Sequence, residues 1–152
     1  MSRLLEWAMM IVANEEGARE LNRLGLGLGI EAKGTNIIEF KDVQLSPSGS
    51  LTIINLSGSG LIHECLVLSK SPDIQLTISV DGSLIFDKTF NESLEVSQEL
   101  IFLSAFTKEE NGQTYYVMHV KGIEFRESIN ISVKNTSEST ITISRVVCKY
   151  SQ

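Results

Sequence analysis

The sequence predicts a mainly β protein: an antiparallel β-sandwich, jelly-roll-like, of eight to nine strands, preceded by an N-terminal α-helix and a Gly-rich linker. Three observations carry this. From Ile37 onward apolar residues recur at every second position, the period of a strand with one buried and one wet face. Turn-forming clusters interrupt that pattern at short, regular intervals. The first two dozen residues instead show the three- and four-residue spacing of a helix.

Residues 2–24 are expected to be that helix. Ser2 is its N-cap. Leu4, Leu5, Ala8, Met9 and Val12 form one stripe. Trp7, Met10 and Ile11 fall off it, so the first turns are apolar nearly all round. A helix of this kind is buried on more than one side. Its later part, Asn14 to Glu20, is polar, and Gly17 weakens it by roughly 1 kcal/mol relative to Ala. Leu24-Gly25-Leu26-Gly27-Leu28-Gly29-Ile30 follows. A dinucleotide loop would need a preceding strand, G-x-G-x-x-G spacing and a following helix, and none of these is present. The run is therefore an extended linker. Residues 1–30 form an arm and residues 31–152 the sandwich domain.

The clearest stretch of that domain is Ile74 to Phe90. Ile74, Leu76, Ile78 and Val80 alternate with Gln75, Thr77 and Ser79. Asp81-Gly82 then supplies a tight hairpin turn before a second apolar run. The expected strands are 37–41, 51–56, 61–69, 74–80, 84–90, 94–106, 114–121, 129–134 and 140–150. Between them lie Ser46-Pro47-Ser48-Gly49, Ser57-Gly58-Ser59-Gly60, Ser71-Pro72-Asp73, Asn111-Gly112, Gly122 and the segment 135–139. The last two strands repeat the alternation of the first hairpin. Val146-Val147 then shifts the phase, so either a bulge lies near Arg145 or both faces are covered there.

Composition narrows the function. The net charge is −6, and no basic cluster offers phosphates a footing, so no nucleic-acid partner is expected. No uncharged run approaches the ~18–20 residues that span a bilayer, so no membrane partner is expected either. Glu6 and Asn14-Glu15-Glu16 break the opening apolar run, which argues against a signal peptide and for a cytosolic chain. Two cysteines are too few for a disulfide scaffold. In such a chain the four Asn-x-Ser/Thr sequons, at Asn55, Asn91, Asn130 and Asn135, are chance products of composition.

Chemistry-bearing residues are sparse. His63 and Cys65 share one strand face by alternation, with His119 and Cys148 elsewhere. Two His and two Cys could hold zinc, but the paired spacing of such sites is missing. Buried, inert thiols are the plainer reading. A Cys65–Cys148 disulfide requires neighbouring strands and an oxidising compartment. No Gly-x-Ser-x-Gly elbow occurs. Glu109-Glu110 belongs to a hairpin tip, and Asp81 with Asp87 is too sparse for calcium. No catalytic residue, cofactor or metal is expected. Tyr115 and Tyr116, beside a long loop 107–113, are the only candidate ligand contact.

The run Ser57-Gly58-Ser59-Gly60-Leu61-Ile62-His63-Glu64-Cys65-Leu66-Val67-Leu68, followed by Ile74 to Val80 and Asp81-Gly82, resembles small β-sandwich proteins of tailed-phage virions. These are accessory capsid, neck and tail components. The likeness covers residues 50–90. It implies a structural role in a virion assembled in the host cytoplasm, homo-oligomerisation (a trimer is one form) and contacts with other virion proteins, without catalysis. The residue pattern agrees in direction. An apolar helix too short to make its own core needs cover, since each large apolar side chain gains roughly 1.5–3 kcal/mol on burial. Leu4, Leu5, Trp7, Met9, Met10 and Val12 are thus the expected interface. Two placements remain open: on another subunit or virion protein, or folded back on the same sandwich. The competing class is a carbohydrate- or surface-binding sandwich using Tyr115 and Tyr116.

Overall fold

Alternating apolar residues build nine strands in the computed structural model, which describes residues 34–152. The helix expected over residues 2–24, the glycine linker, and the interface residues Leu4, Leu5, Trp7, Met9, Met10 and Val12 lie outside the described residues. The strands are β1 (Asn36–Leu45), β2 (Ser50–Ser57), β3 (Gly60–Ser69), β4 (Ile74–Val80), β5 (Ser83–Thr89), β6 (Leu103–Glu110), β7 (Gln113–Phe125), β8 (Ser128–Asn135) and β9 (Ile141–Ser151). One short helix, α1 (Phe90–Val96), separates β5 from β6.

The strands form two antiparallel sheets. Sheet A has the order β1-β9-β3-β7-β6 and sheet B the order β2-β8-β4-β5. Both contribute to one apolar cluster: Ile62, Val67, Met118 and Val120 from sheet A, Leu76, Ile78, Ile131 and Val133 from sheet B. This is a sandwich-like arrangement in which each sheet hides its apolar face behind the other.

Two connections stay within a sheet: β4–β5 and β6–β7. Their turn residues, Asp81-Gly82 (φ 52° and 80°) and Asn111-Gly112 (φ 51° and 76°), take positive φ at both positions. That geometry matches the twist of a two-residue hairpin, and Asn, Asp and Gly adopt it most easily. The loop expected over residues 107–113 is accordingly strand, except for Asn111 and Gly112. Every other connection crosses between sheets. β8 and β9 therefore lie in different sheets despite repeating the alternation of the β4–β5 hairpin. Alternation reports which face is buried, and not which strand lies next door.

The strand expected over residues 94–106 is a correction. Residues Phe90–Val96 are helical, and β6 begins only at Leu103. Thr89 explains the break. Its Oγ1 accepts from the Glu92 backbone N–H, and Glu92 Oε1 accepts from the Thr89 N–H at 3.0 Å. This reciprocal capping box ends β5 and starts α1. Thr89→Ala is expected to cost about 1 kcal/mol in chemical denaturation, as N-cap losses do. An unchanged midpoint would show that packing alone holds α1.

The phase shift near Arg145 is present, and β1 shares it. Lys41 faces Arg145 and Val43 faces Ile143, so the register does not slip. Yet the inward positions change from Ile38 and Phe40 to Val43 and Leu45 on β1, and from Ile143 to Val146 on β9. Asp42, at φ 50°, absorbs the change. β3 and β7 do the same around Gly122 (φ 72°), between the pairs Ile62–Ile123 and Glu64–Lys121.

Candidate functional site

The β3 phase change decides the fate of the zinc candidates. Ile62 and Cys65 are both buried, with His63 and Glu64 half exposed between them. His63 and Cys65 therefore do not share a face as simple alternation predicts. Glu64 is a bridge on the outer side of sheet A: its carboxylate lies 3.6 Å from His119 Nε2 and 3.5 Å from Lys149 Nζ. Glu39 likewise meets Lys41 and Arg145, each at 3.4 Å. These pairs form a ladder across β1, β9, β3 and β7. Exposed pairs of this kind contribute at most about 1 kcal/mol each. Among the described residues no group of three or more His, Cys, Asp or Glu side chains is placed to hold a metal.

Cys65 and Cys148 are buried free thiols on the adjacent strands β3 and β9. The hydrogen bond to Cys148, and then burial, push the Cys65 thiol well above the ordinary range. A thiol held protonated is a poor nucleophile and a poor metal ligand.

Tyr115 and Tyr116 are both half-buried, but they diverge. The Tyr116 ring stands edge-on to Phe90, centroids 5.3 Å apart, against the core. Tyr115, its neighbour on the strand, faces the other way, opposite Lys108 of β6. The two rings do not make one platform.

Two residues that the turn signals mark only as turn formers act as clamps. Asp81 Oδ1 accepts backbone N–H groups from Arg126 at 3.0 Å, Glu127 at 2.6 Å and Ser128 at 3.1 Å. It pins the β4–β5 turn to the β7–β8 crossing. Asn135 is fully buried. Its amide donates to the carbonyls of Leu45, Ser46 and Ser139, and its oxygen accepts from Ser137 N–H. It ties the β1–β2 turn to the β8–β9 crossing, and a side chain so placed carries no glycan.

The hydrogen bonds from Glu127 and Ser128, the two largest influences, hold the Asp81 carboxyl below its usual value. A depressed carboxylate stabilises the fold above its ordinary pKa and loses that contribution as pH falls through the depressed one. Asp81→Ala should therefore melt below wild type at neutral pH, with the gap narrowing as pH falls below about 4 to the pH-independent cost of alanine at φ 52°. A gap independent of pH across melting scans would contradict this assignment.

The remaining unusual feature is apolar. The exposed large hydrophobic side chains of the described residues are Ile37, Leu84, Ile85, Leu94, Ile101 and Phe106. All but Ile37 fall within residues 84–106, on β5, α1, the segment after it, and β6. Ile101 is 95% exposed. Phe86 and Phe102 meet edge to face with centroids 6.0 Å apart, which ties β5 to the segment before β6. β5 and β6 are the outer strands of their sheets, and α1 touches both. The apolar residues thus mark one edge of the two-sheet body.

No protein-family model matches the chain, and no curated protein matches it significantly.

Proposed function

We propose that this chain is a non-enzymatic structural component of a tailed-phage virion. It assembles in the host cytoplasm with copies of itself and with other virion proteins, through its apolar N-terminal arm and its sandwich faces. The observation that carries the reading is the strand order. With β6 set aside as an added edge strand, the sheets run β1-β9-β3-β7 and β2-β8-β4-β5. That succession supports a jelly roll, the double-sheet architecture used by viral capsid domains as well as by lectins and cupins. The resemblance of residues 50–90 to virion sandwich proteins points the same way. Neither nucleic acid nor membrane is a partner in this reading. The carbohydrate-binding alternative draws nothing from the tyrosine pair, since Tyr116 packs on Phe90.

Mass and symmetry in solution test the proposal. Light scattering and negative-stain imaging of the full chain should give one closed oligomer, a trimer or another ring. A monomer at every accessible concentration contradicts it.

A further inference from the structure

We infer that the β5–α1–β6 edge is the acceptor surface for the apolar run Leu4–Val12 of a neighbouring copy, joined head to tail. This rests on the arm-mediated assembly proposed above and specifies where the arm goes. The elements of this edge each expose apolar side chains: Leu84 and Ile85 on β5, Leu94 on α1, Ile101 before β6, and Phe106 on the outward face of β6. The edge is poorly suited to adding a strand. Ile78 faces Phe86 while Ser79 faces Leu84, so Ile85 is an extra, bulged residue on β5. A bulge on an outer strand blunts backbone pairing. On β6 the distal half, Lys108 to Glu110, is charged, with Lys108 and Glu110 paired at 3.2 Å. The surface therefore offers side chains rather than a hydrogen-bonding backbone. Leu4, Leu5, Trp7, Met9, Met10, Ile11 and Val12 supply the matching apolar side chains.

The position of β1 sets the geometry of a contact between copies. The described chain starts at Gly34 and enters β1, the outer strand of sheet A farthest from β6. β1 touches β2, the outer strand of sheet B. The arm-bearing edge and the apolar edge are thus opposite sides of one body. Four strand spacings of about 4.8 Å separate β1 from β6. Residues 13–33 can span several times that distance when extended at ~3.3 Å each, so reach permits either copy, and the neighbouring one follows from the arm-mediated assembly on which this inference rests. When donor and acceptor lie on opposite edges, repetition is head to tail, and such contacts close into rings when the rotation allows.

The test uses the full chain in three forms: wild type, an edge variant (Ile85→Asp with Ile101→Asp) and an arm variant (Leu5→Asp with Met9→Asp). Ile101 is almost wholly exposed, so Ile101→Asp alone serves as a second edge variant that keeps the fold. Melting curves report folding, and sedimentation reports association. A photo-crosslinker at Met9, in mixed light and heavy isotope samples, reports which surface the arm meets. Both classes of variant should weaken association by about tenfold or more, and crosslinks should join Met9 of one copy to residues 84–106 of another. If the arm variant dissociates and folded edge variants stay assembled, the acceptor assignment is wrong and arm-mediated assembly survives. If neither dissociates, both readings fall. Crosslinks confined to one copy, or landing on another surface, also overturn the acceptor assignment.

Discussion

Ile131→Ala should lower the stability of the domain by about 2–5 kcal/mol, the range for removing a large aliphatic side chain from a packed core. Ile131 is fully buried at the centre of sheet B. It faces Ile54 on β2 and Ile78 on β4, and it belongs to the cluster shared by the two sheets. Flanked on both sides by strands, the site can relax little, so most of the lost volume remains as a cavity. Against a typical total of about 5–15 kcal/mol, that is a large fraction. Ile101→Ala provides the control. Ile101 is 95% exposed, and its loss should change stability by no more than about 0.5 kcal/mol. Equal midpoints for the two variants in chemical denaturation would mean that the sheets do not share a core.

Removal of residues 1–33 should have the largest effect on assembly and little effect on folding. The described body has its own core, and its turns and crossings are clamped internally by Asp81 and Asn135. The arm contributes apolar side chains whose burial is worth roughly 1.5–3 kcal/mol each. Losing several of them from an interface removes far more free energy than most oligomers can spare. The truncated chain should stay folded and soluble, with a cooperative melt near that of the full chain, and should sediment as a monomer. A truncated chain that unfolds or aggregates would show that the arm covers its own sandwich.

Much of the fold was legible because local rules governed it. Ile74 to Val80 alternates cleanly, and Asp81-Gly82 and Asn111-Gly112 are turn pairs with a known backbone demand. The break after β5 has a local mark, the capping-box spacing of Thr89-Phe90-Asn91-Glu92, yet strands are expected on both sides of it with no helix between. The apolar residues from Leu94 to Phe106 masked it, because short apolar runs do not distinguish helix from strand. Sheet membership was not legible. β8 and β9 alternate as hairpin partners would, and only contacts distant in sequence separate them into two sheets. The outward turn of His63 was hidden for a related reason. It depends on a phase change shared with β7 at Gly122, and alternation within one strand carries no record of its partner. The role of Asp81 as acceptor for Arg126, Glu127 and Ser128 spans 45 to 47 residues of sequence and left no local mark beyond the turn.

The most direct test of the central claim is the mass in solution of the full chain beside that of residues 34–152, measured at the same concentrations. The account predicts a closed oligomer for the first and a folded monomer for the second. Two monomers, or two oligomers of the same copy number, would contradict it.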